Sequence, residues 1–386
     1  MKNTKNRTII FIGILVSLPI VTPMIPTVMI YNQIFGIRAE SPPYRAFFRH
    51  HDFPEYPRRI VTFLSGRNML TGYIYGEDNH KGLIVIAHSF GDGAEGYFNV
   101  ITYFVDRGWR VFAYDNTGSH NSEGSRTRGL TQSVLDLDAA LSFIAEQEWG
   151  LPLILFGHSW GGFAAAAVLN FGHEINAVVS LAGYNTPMQV LSDTARHLIG
   201  RAGGFIHPYL WVYQRILFGK YAGLSAVEGI NKTDIPIMII HGTADGLIFY
   251  NSAGIIAHRD KITNPNAVFI THSLPHHNGH MNLLMTEDSL AYINELDEVF
   301  KGLLHRYVPA QNNHACPFIT VSFLHVNMLA NRNIRRCFCS RVYTNFIPDN
   351  ALFDFFAGID RYRTSALNLT LMDEINIFFK QSLHKD

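Results

Sequence analysis

The sequence predicts an α/β protein with a doubly wound, mostly parallel sheet, an inserted helical cap and an N-terminal transmembrane segment. Three observations lead to this fold class. Short apolar runs, each long enough for one strand, alternate with segments of helical periodicity. Two of the later strands are separated by about fifty residues, which is more than a single crossover helix needs. The chain also begins with a long stretch that carries no charge.

The N-terminal stretch is uncharged from Thr8 to Tyr31 and follows the basic residues Lys2, Lys5 and Arg7. At about 1.5 Å per residue it is long enough to cross the roughly 30 Å hydrocarbon core of a bilayer. A cleaved signal peptide is the alternative, although its apolar region is usually only about 7–15 residues long. We therefore expect a retained single-pass anchor with the globular part outside the cytoplasm, and secretion after signal cleavage as the second possibility.

The remainder of the chain divides by composition. We expect an anchor and linker in residues 1–40, a main domain in 41–305 with a helical cap at about 185–232, an atypical segment in 306–345 and a C-terminal helical part in 346–386. The atypical segment contains all three cysteines and a basic run, and it has no clear period. An insertion, a mobile subdomain and a locally altered reading frame are the alternatives for it.

The first half of the main domain has the pattern of a hairpin followed by alternating strands and helices. A continuous apolar strand is expected where a parallel sheet is buried on both faces. The predicted strands are Ile60–Leu64, Leu70–Tyr75, Gly82–Ala87, Trp109–Tyr114 and Leu151–Phe156, and the predicted helices are Glu95–Arg107 and Thr131–Gln147.

The second half continues the alternation around the cap. The aromatic residues of the cap are expected either to pack its own core or to line a ligand pocket. The predicted strands are Ala177–Leu181, Pro236–Ile240 and Ala267–Thr271, and the predicted cap helices are Gln189–Ile199 and Pro208–Phe218.

A candidate nucleophile, Ser159, lies in the motif Gly-His-Ser-Trp-Gly at residues 157–161, between a strand and a helix of small residues. A serine at such a sharp turn has an exposed hydroxyl, and the flanking glycines avoid a clash of a Cβ with the turn. The N–H of Trp160 then lies at a helix N-terminus, where it can face a developing oxyanion. An ordinary Gly/Ser-rich loop is the alternative, but the flanking strand and helix favour a nucleophile.

A candidate acid, Asp245, follows the strand 236–240 in the sequence His-Gly-Thr-Ala-Asp-Gly. The carboxyl ends of parallel strands share one edge of a sheet, so Asp245 is expected on the same edge as Ser159. A turn-forming Asp-Gly pair is the alternative. Asp234 precedes the strand and is expected at the opposite edge, which makes it a poor competitor.

A candidate base, His280, follows a glycine in the loop after the last strand. His276 and His277 are more simply explained as loop residues at the rim of the site. A metal site formed by His276 with His280 is disfavoured because no carboxylate or cysteine nearby completes it. The second oxyanion donor is expected in the loop after strand 82–87, where the N–H of Phe90 is the best candidate.

These motifs together resemble the α/β-hydrolase-fold serine hydrolases over residues 60 to 300. The resemblance rests on Ala-His-x-x-Gly at 87–91, the serine motif at 157–161, His-Gly-x-x-Asp-x-x-Ile at 241–248 and Gly-His at 279–280. The loop after Tyr114 departs from the family pattern, because Thr117 and His120 stand where an arginine and a glycine are expected. The C-terminal helical part resembles the closing helix of bacterial membrane-anchored members.

The resemblance implies hydrolysis of a carboxylic ester or a related acyl bond through an acyl-enzyme intermediate, without cofactor or metal. Ser159, His280 and Asp245 would form the catalytic triad, with a small or lipid-like acyl substrate and the membrane as partners. A peptidase or acyl-aminoacyl hydrolase with the same triad is one alternative. A non-catalytic, membrane-tethered binding protein is another, although no triad residue is missing. Basic and acidic residues balance at 31 each, so no nucleic-acid partner is expected. The sequence does not indicate an oligomeric state.

Overall fold

A computed structural model describes residues 22–39, 47–307 and 349–383. Its centre is a single eight-stranded sheet. The strands are β1 (Arg58–Ser65), β2 (Asn68–Tyr75), β3 (Leu83–Ala87), β4 (Arg110–Tyr114), β5 (Leu153–His158), β6 (Ala177–Leu181), β7 (Ile237–Gly242) and β8 (Ala267–His272).

The strand order in the sheet is β1-β2-β4-β3-β5-β6-β7-β8. β1 and β2 form the predicted antiparallel hairpin, and β2 also pairs antiparallel with β4. All other neighbours are parallel, from β4 through β3 to β8. The predicted α/β class with a mostly parallel sheet is therefore confirmed. The loops that follow β3, β5, β7 and β8 all leave from the same edge of the sheet.

Helices connect the strands and cover the sheet. They are α1 (Met24–Phe35), α2 (Phe98–Val105), α3 (Gln132–Glu146), α4 (Trp160–Ala167), α5 (Pro187–Ile199), α6 (Gly203–Phe218), α7 (Ala226–Ile230), α8 (Glu287–Tyr307), α9 (Asp349–Ala357), α10 (Arg361–Thr364) and α11 (Leu369–Leu383). α5 and α6 pack on each other between β6 and β7, in the interval where the sequence predicts the cap.

The second cap helix, α6, begins at Gly203 rather than at Pro208 as predicted. Proline favours the first turn of a helix, which is why the sequence pattern indicates a start there. In the structure Pro208 lies inside α6, on its exposed side. Because proline has no N–H, the carbonyl oxygen of Gly204 lacks its helical hydrogen-bond donor. Gly204 is also exposed, so water can donate to this oxygen instead.

The core lies on both faces of the sheet. One cluster packs α3 and α4 against the sheet through Leu137, Phe163 and Leu155. A second cluster packs α2 and the C-terminal helix α11 against the other face, with Phe104 and Phe379 in contact. β3 is buried along its whole length because helices cover both of its faces. The rigid sheet positions the loops at its carboxyl edge.

The prediction of one membrane-spanning segment over residues 8–31 is not supported by the described residues. The second half of that segment belongs to α1, a helix of 12 residues that buries Thr27, Tyr31 and Phe35. The side chain of Tyr31 packs edge-on against Tyr213 of the cap, with ring centroids 5.1 Å apart. None of the helices in the three described ranges is both long enough and apolar enough to cross a bilayer. Residues 1–21 lie outside those ranges.

Most of the atypical segment also lies outside the described residues, which stop at 307 and resume at 349. The three cysteines and the basic run belong to this interval. The C-terminal helical part resumes with α9 and ends with α11. Trp109, which directly precedes β4, donates a hydrogen bond from Nε1 to Oδ1 of Asn376 at 2.9 Å. This bond holds α11 against the sheet.

Candidate active site

Ser159 lies on a tight turn between β5 and α4. Its backbone has φ 58° and ψ −112°, a strained conformation for a residue with a side chain. The turn needs glycine on both sides. A Cβ at Gly157 would lie 2.1 Å from the carbonyl oxygen of Gly161, and a Cβ at Gly161 would lie 1.9 Å from the carbonyl oxygen of Ala87. Because the backbone segments at Gly157, Gly161 and Ala87 approach each other closely, the side chain of Ser159 projects from the turn at the edge of the sheet.

Three side chains from distant parts of the sequence meet at this edge. The hydroxyl of Ser159 donates to Nε2 of His280 at 2.7 Å. Nδ1–H of the same imidazole donates to Oδ2 of Asp245 at 2.6 Å. All three side chains are buried. The structure thus brings together the predicted nucleophile, base and acid in an unbroken hydrogen-bond chain.

The carboxylate of Asp245 accepts three hydrogen bonds. Oδ1 accepts from the backbone N–H groups of Leu247 and Ile248 at 2.9 and 2.8 Å. Oδ2 accepts from His280, and Nε2 of the fully buried His241, which donates to the carbonyl oxygen of Ile248 at 2.9 Å, lies 3.1 Å from it. Burial raises the pKa of Asp245, but the polar contacts with His241 and His280 outweigh it and hold the pKa well below its usual value. The acid is therefore ionised at neutral pH.

A third buried imidazole, His158, connects the site to the loop after β3. The hydroxyl of Tyr97 accepts from the N–H of Ser89 at 3.2 Å and donates to Nδ1 of His158 at 2.6 Å. Nε2–H of His158 then donates to the carbonyl oxygen of His280 at 3.1 Å. Burial lowers the pKa of His158 to about 3, so this imidazole is neutral, as an acceptor at Nδ1 must be. The network fixes the backbone position of His280.

The two predicted oxyanion donors lie side by side. The rings of Phe90 and Trp160 pack edge-on with centroids 5.3 Å apart. Nε1–H of Trp160 donates to the carbonyl oxygen of Leu130 at 2.6 Å, which fixes that indole. Within the described part of the chain, neither backbone N–H has a protein acceptor. Both groups are therefore available to a ligand, and the one from Trp160 lies at the N-terminus of α4.

The N-terminal helix α1 reaches this site. The ring of Phe35 packs edge-on against the ring of Phe90, with centroids 5.3 Å apart. The carbonyl oxygen of Phe35 accepts from the N–H of Arg128 at 3.1 Å, and the hydroxyl of Tyr31 donates to the carbonyl of Arg128 at 3.1 Å. The end of α1 is thus fastened to the domain and supports the loop that carries one oxyanion donor.

The loop after β4, which departs from the family pattern, is well anchored. Thr117 donates from its N–H and its hydroxyl to the buried carboxylate of Asp136, at 2.7 and 2.8 Å. His120 has a positive φ of 43°, in place of the glycine that the family pattern has. The guanidinium of Arg38 donates to the carbonyl oxygens of His120 and Gly124. An arginine from the N-terminal segment therefore supports a loop that has Thr117 where the family pattern has an arginine.

Other predicted rim residues stay outside the hydrogen-bond chain. His276 is exposed, and Nε2 of His277 lies 3.6 Å from Oε1 of Glu287. Asp234 is exposed ahead of β7, at the opposite edge as expected. Among the residues that the structure describes, no cluster of histidine, cysteine and acidic residues could hold a metal ion.

The sequence analysis missed the roles of His158, His241 and Tyr97. The two histidines are part of the quoted motifs, at the last position of β5 and the fifth position of β7. Since both strands are buried on both faces, a histidine inside either of them is expected to pack within the protein rather than to face solvent. Tyr97 has no such signal, because it meets His158 only through a contact across 61 residues of sequence.

Comparison with known proteins points in the same direction. Residues 78–220 match the family model described as serine aminopeptidase, S33. A monoacylglycerol lipase of Mycolicibacterium smegmatis is 34% identical over 84 residues, which are 21% of this chain and 30% of the relative. A monoglyceride lipase of Saccharomyces cerevisiae is 22% identical, over 34% of this chain and 49% of the relative.

A longer match is to the Escherichia coli O157:H7 protein YfhR, described as uncharacterized. It is 28% identical over 180 residues, which are 44% of this chain and 55% of that protein. The chain thus spans about a third to about half of the length of the curated relatives it matches.

Proposed function

We propose that this chain, an α/β-hydrolase-fold protein, is a serine hydrolase that cleaves the carboxylic ester of a lipid-like acyl substrate through an acyl-enzyme intermediate. The observation that carries the proposal is the hydrogen-bond chain from Ser159 through His280 to Asp245, with contacts of 2.7 and 2.6 Å. A hydroxyl, an imidazole and a buried carboxylate in this order convert serine into a nucleophile.

In the proposed mechanism, Oγ of Ser159 attacks the ester carbonyl carbon while its proton passes to Nε2 of His280. The carbonyl π electrons move onto the oxygen, and this oxyanion accepts hydrogen bonds from the N–H groups of Phe90 and Trp160. The tetrahedral intermediate expels the alcohol, which takes the proton from His280. Water then attacks the acyl-enzyme by the same route and releases the carboxylic acid and free Ser159.

The electrostatics of the site support these roles. Asp245 is ionised because hydrogen bonds hold its pKa low, so it can stabilise the imidazolium that forms on His280. Each preorganised oxyanion donor typically lowers the barrier by about 3 kcal/mol, which corresponds to about a hundredfold in rate. The donors need no reorganisation because Trp160 is held by its indole and Phe90 by ring packing.

Two kinds of observation support an acyl ester as substrate. The matched relatives from M. smegmatis and S. cerevisiae are described as a monoacylglycerol lipase and a monoglyceride lipase. The ring of Phe90, whose N–H is one of the predicted oxyanion donors, is partly exposed and packs on the buried rings of Phe35 and Trp160. An alkyl chain can pack against such rings, whereas a charged peptide terminus would lose its hydration there.

A peptidase or acyl-aminoacyl hydrolase is the second candidate, since the matched family model carries the description serine aminopeptidase. A panel of p-nitrophenyl esters of increasing acyl length, run beside aminoacyl-p-nitroanilides, separates the two. We expect kcat/KM to be highest for an ester. Anilide hydrolysis at the higher kcat/KM would replace our proposal with the peptidase.

Labelling with a fluorophosphonate probe tests whether the chain is an enzyme at all. We expect the wild type to be labelled and Ser159→Ala to remain unlabelled. Ser142→Ala removes an exposed hydroxyl on α3 and is the matched control, with labelling expected at the wild-type level. Equal labelling of all three proteins, or no labelling of any, would favour a non-catalytic binding protein of the same fold.

The location of the chain is a separate proposal, which rests on the basic residues Lys2, Lys5 and Arg7 followed by the apolar run to residue 21. We propose that this run attaches the protein to a membrane with the hydrolase part outside the cytoplasm, or else is removed during secretion. Mass spectrometry of the N-terminus of the protein made in cells distinguishes a retained run from a cleaved one. Protease accessibility in intact cells tests the orientation.

A further inference from the structure

Large exposed apolar side chains concentrate on three packed helices, α1, the end of α5, and α6. Of the twenty large hydrophobic residues exposed in the described ranges, ten lie on these helices. We call this set the apolar face. Its members are Ile25, Met29, Ile30, Ile34, Leu198, Ile199, Phe205, Trp211, Val212 and Ile216.

The spacing on α6 shows that this exposure belongs to one side of the helix. Phe205, Trp211, Val212 and Ile216 recur at helical intervals and are 79%, 48%, 42% and 68% exposed. The opposite side of α6 is buried in the cap, where Leu210 and Tyr213 pack. A soluble monomer rarely exposes so many large apolar side chains together, which indicates a binding surface.

Basic residues outnumber acidic ones around the apolar face, and Asp193, the acidic residue of α5, is mostly buried beside Arg196. The sequence has no charged residue from 8 to 37 and no acidic residue from 194 to 227. The cap contributes the exposed bases Arg201, Arg215 and Lys220, and none of these has a carboxylate partner in the described part of the chain. Apolar and aromatic side chains flanked by basic ones are the composition of a helix that lies in the surface of an anionic bilayer.

We propose that the apolar face docks on an anionic lipid surface, with α1 and α6 lying in the plane of the interface. A second copy of this chain is a poorer occupant, because a two-fold contact through this face would bring bases of the same sign together. The docking differs from a membrane-spanning anchor, since α1 keeps Tyr31 and Phe35 packed on the protein while its other side faces lipid.

Docking of this face would present the active site to the bilayer. α1 and α6 meet at Tyr31 and Tyr213, and α1 continues to Phe35, which contacts the oxyanion-loop residue Phe90. We infer in addition that an acyl substrate passes from the lipid to Ser159 along these helices, and this step rests on the proposed function. The docking itself does not, and it is measured without any hydrolysis.

Fluorescence of Trp211 tests the proposal in the full chain. Trp109 and Trp160 are fully buried and Trp149 lies on another part of the surface, whereas Trp211 is half exposed on the apolar face. With vesicles that contain phosphatidylglycerol and brominated phosphatidylcholine, we expect a blue shift and quenching in the wild type. Trp211→Phe should lose this quenching. Ser159→Ala should behave as the wild type, which separates docking from catalysis.

A vesicle-flotation assay adds the matched variants. The triple variant Phe205→Ser, Val212→Ser, Ile216→Ser is expected to lower vesicle affinity by about tenfold or more, because it removes the apolar contact. The control Leu64→Ser, Val268→Ser, Leu369→Ser removes exposed apolar side chains elsewhere and should bind as the wild type. Replacing Arg201, Arg215 and Lys220 by glutamine should abolish the preference for phosphatidylglycerol over phosphatidylcholine vesicles.

Two results would overturn the proposal. Vesicle binding without quenching of Trp211 would show that another part of the chain, such as residues 8–21, contacts the lipid. A blue shift that depends on protein concentration and needs no vesicles, together with a dimer in analytical ultracentrifugation, would assign the apolar face to a second copy. If the wild-type protein docks on vesicles but does not hydrolyse p-nitrophenyl acetate, that result would count against the proposed function and not against the docking.

Discussion

The catalytic edge of the sheet and the apolar face of α1 and α6 are built in opposite ways. At the sheet edge, Asp245 accepts three hydrogen bonds and His158 has a partner at each ring nitrogen. On the apolar face, large side chains such as Phe205, which is 79% exposed, have little protein cover. The proposed chemistry needs atoms that are fixed to a fraction of an ångström. Contact with a fluid surface needs only apolar and basic side chains on the protein surface, without exact positions.

The largest effect that would test this contrast is expected from the acid. Asp245→Asn should lower kcat for a p-nitrophenyl ester by about 10⁴-fold, because the amide favours the wrong tautomer of His280. Thermal unfolding should change far less than activity does. Asp234→Asn, at the opposite edge of the sheet, is the control and should change kcat by less than about twofold. A similar kcat for both variants would remove Asp245 from the triad.

Close packing at the sheet edge predicts a large loss of stability in Gly161→Ala. The added Cβ would lie 1.9 Å from the carbonyl oxygen of Ala87, so the end of β3 or the start of α4 must move. We expect the free energy of unfolding to fall by about 3 kcal/mol, measured by urea denaturation. An unchanged midpoint would mean that the turn has room that the structure does not show.

The buried imidazole of His158 predicts a pH-dependent stability. Burial lowers its pKa from 6.5 to about 3 in the folded chain, so below pH 6.5 the unfolded chain binds the extra proton. Its contribution is complete above pH 6.5 and is lost as the pH falls toward 3, at about 1.4 kcal/mol per pH unit. Between pH 6.5 and 5 this amounts to about 2 kcal/mol.

His158→Gln should remove that slope, because the amide does not titrate in this range. The measurement is urea unfolding of both proteins at pH 6.5 and pH 5, and the wild type should lose about 2 kcal/mol more than the variant over this interval. Parallel pH dependence of the two proteins would contradict a neutral, buried His158.

The smallest effect is expected on the open side of the cap, with the opposite sign. Gly204 is exposed on α6, and an added Cβ there meets no heavy atom within 4 Å. Gly204→Ala should therefore stabilise the chain by about 0.5–1 kcal/mol, since alanine has the higher helix propensity and restricts the unfolded chain. Calorimetry should show a slightly higher Tm, and a lower one would indicate packing on this face that the structure lacks.

The sequence was sufficient for the parts of the site that follow from chain order. Strands in a parallel sheet place their carboxyl ends at one edge, so Ser159, Asp245 and His280 could be expected to lie near each other there. The glycines on each side of Ser159 could be explained in the same way, since a tight turn leaves no room for a Cβ. Local pattern and topology agree at these positions.

Two features could not be read from the sequence, for different physical reasons. The link between Tyr97 and His158 depends on how a short helix packs over β5, which no local pattern encodes. The role of residues 24–35 was hidden because hydropathy measures transfer out of water and does not distinguish lipid from protein as the new surroundings. The aromatic rings of Tyr31 and Phe35 prefer the protein interior, while the aliphatic side of the same helix stays exposed.

The fastening of α1 has a practical consequence for anyone who shortens this protein. A truncation that starts after residue 39, chosen to discard a supposed leader, would also discard the ring packed edge-on against Phe90 and the guanidinium that holds the carbonyls of His120 and Gly124. Purified protein of that kind should be poorly soluble and weakly active even with every reacting side chain present. Recombinant expression should therefore retain the chain from residue 22 onward.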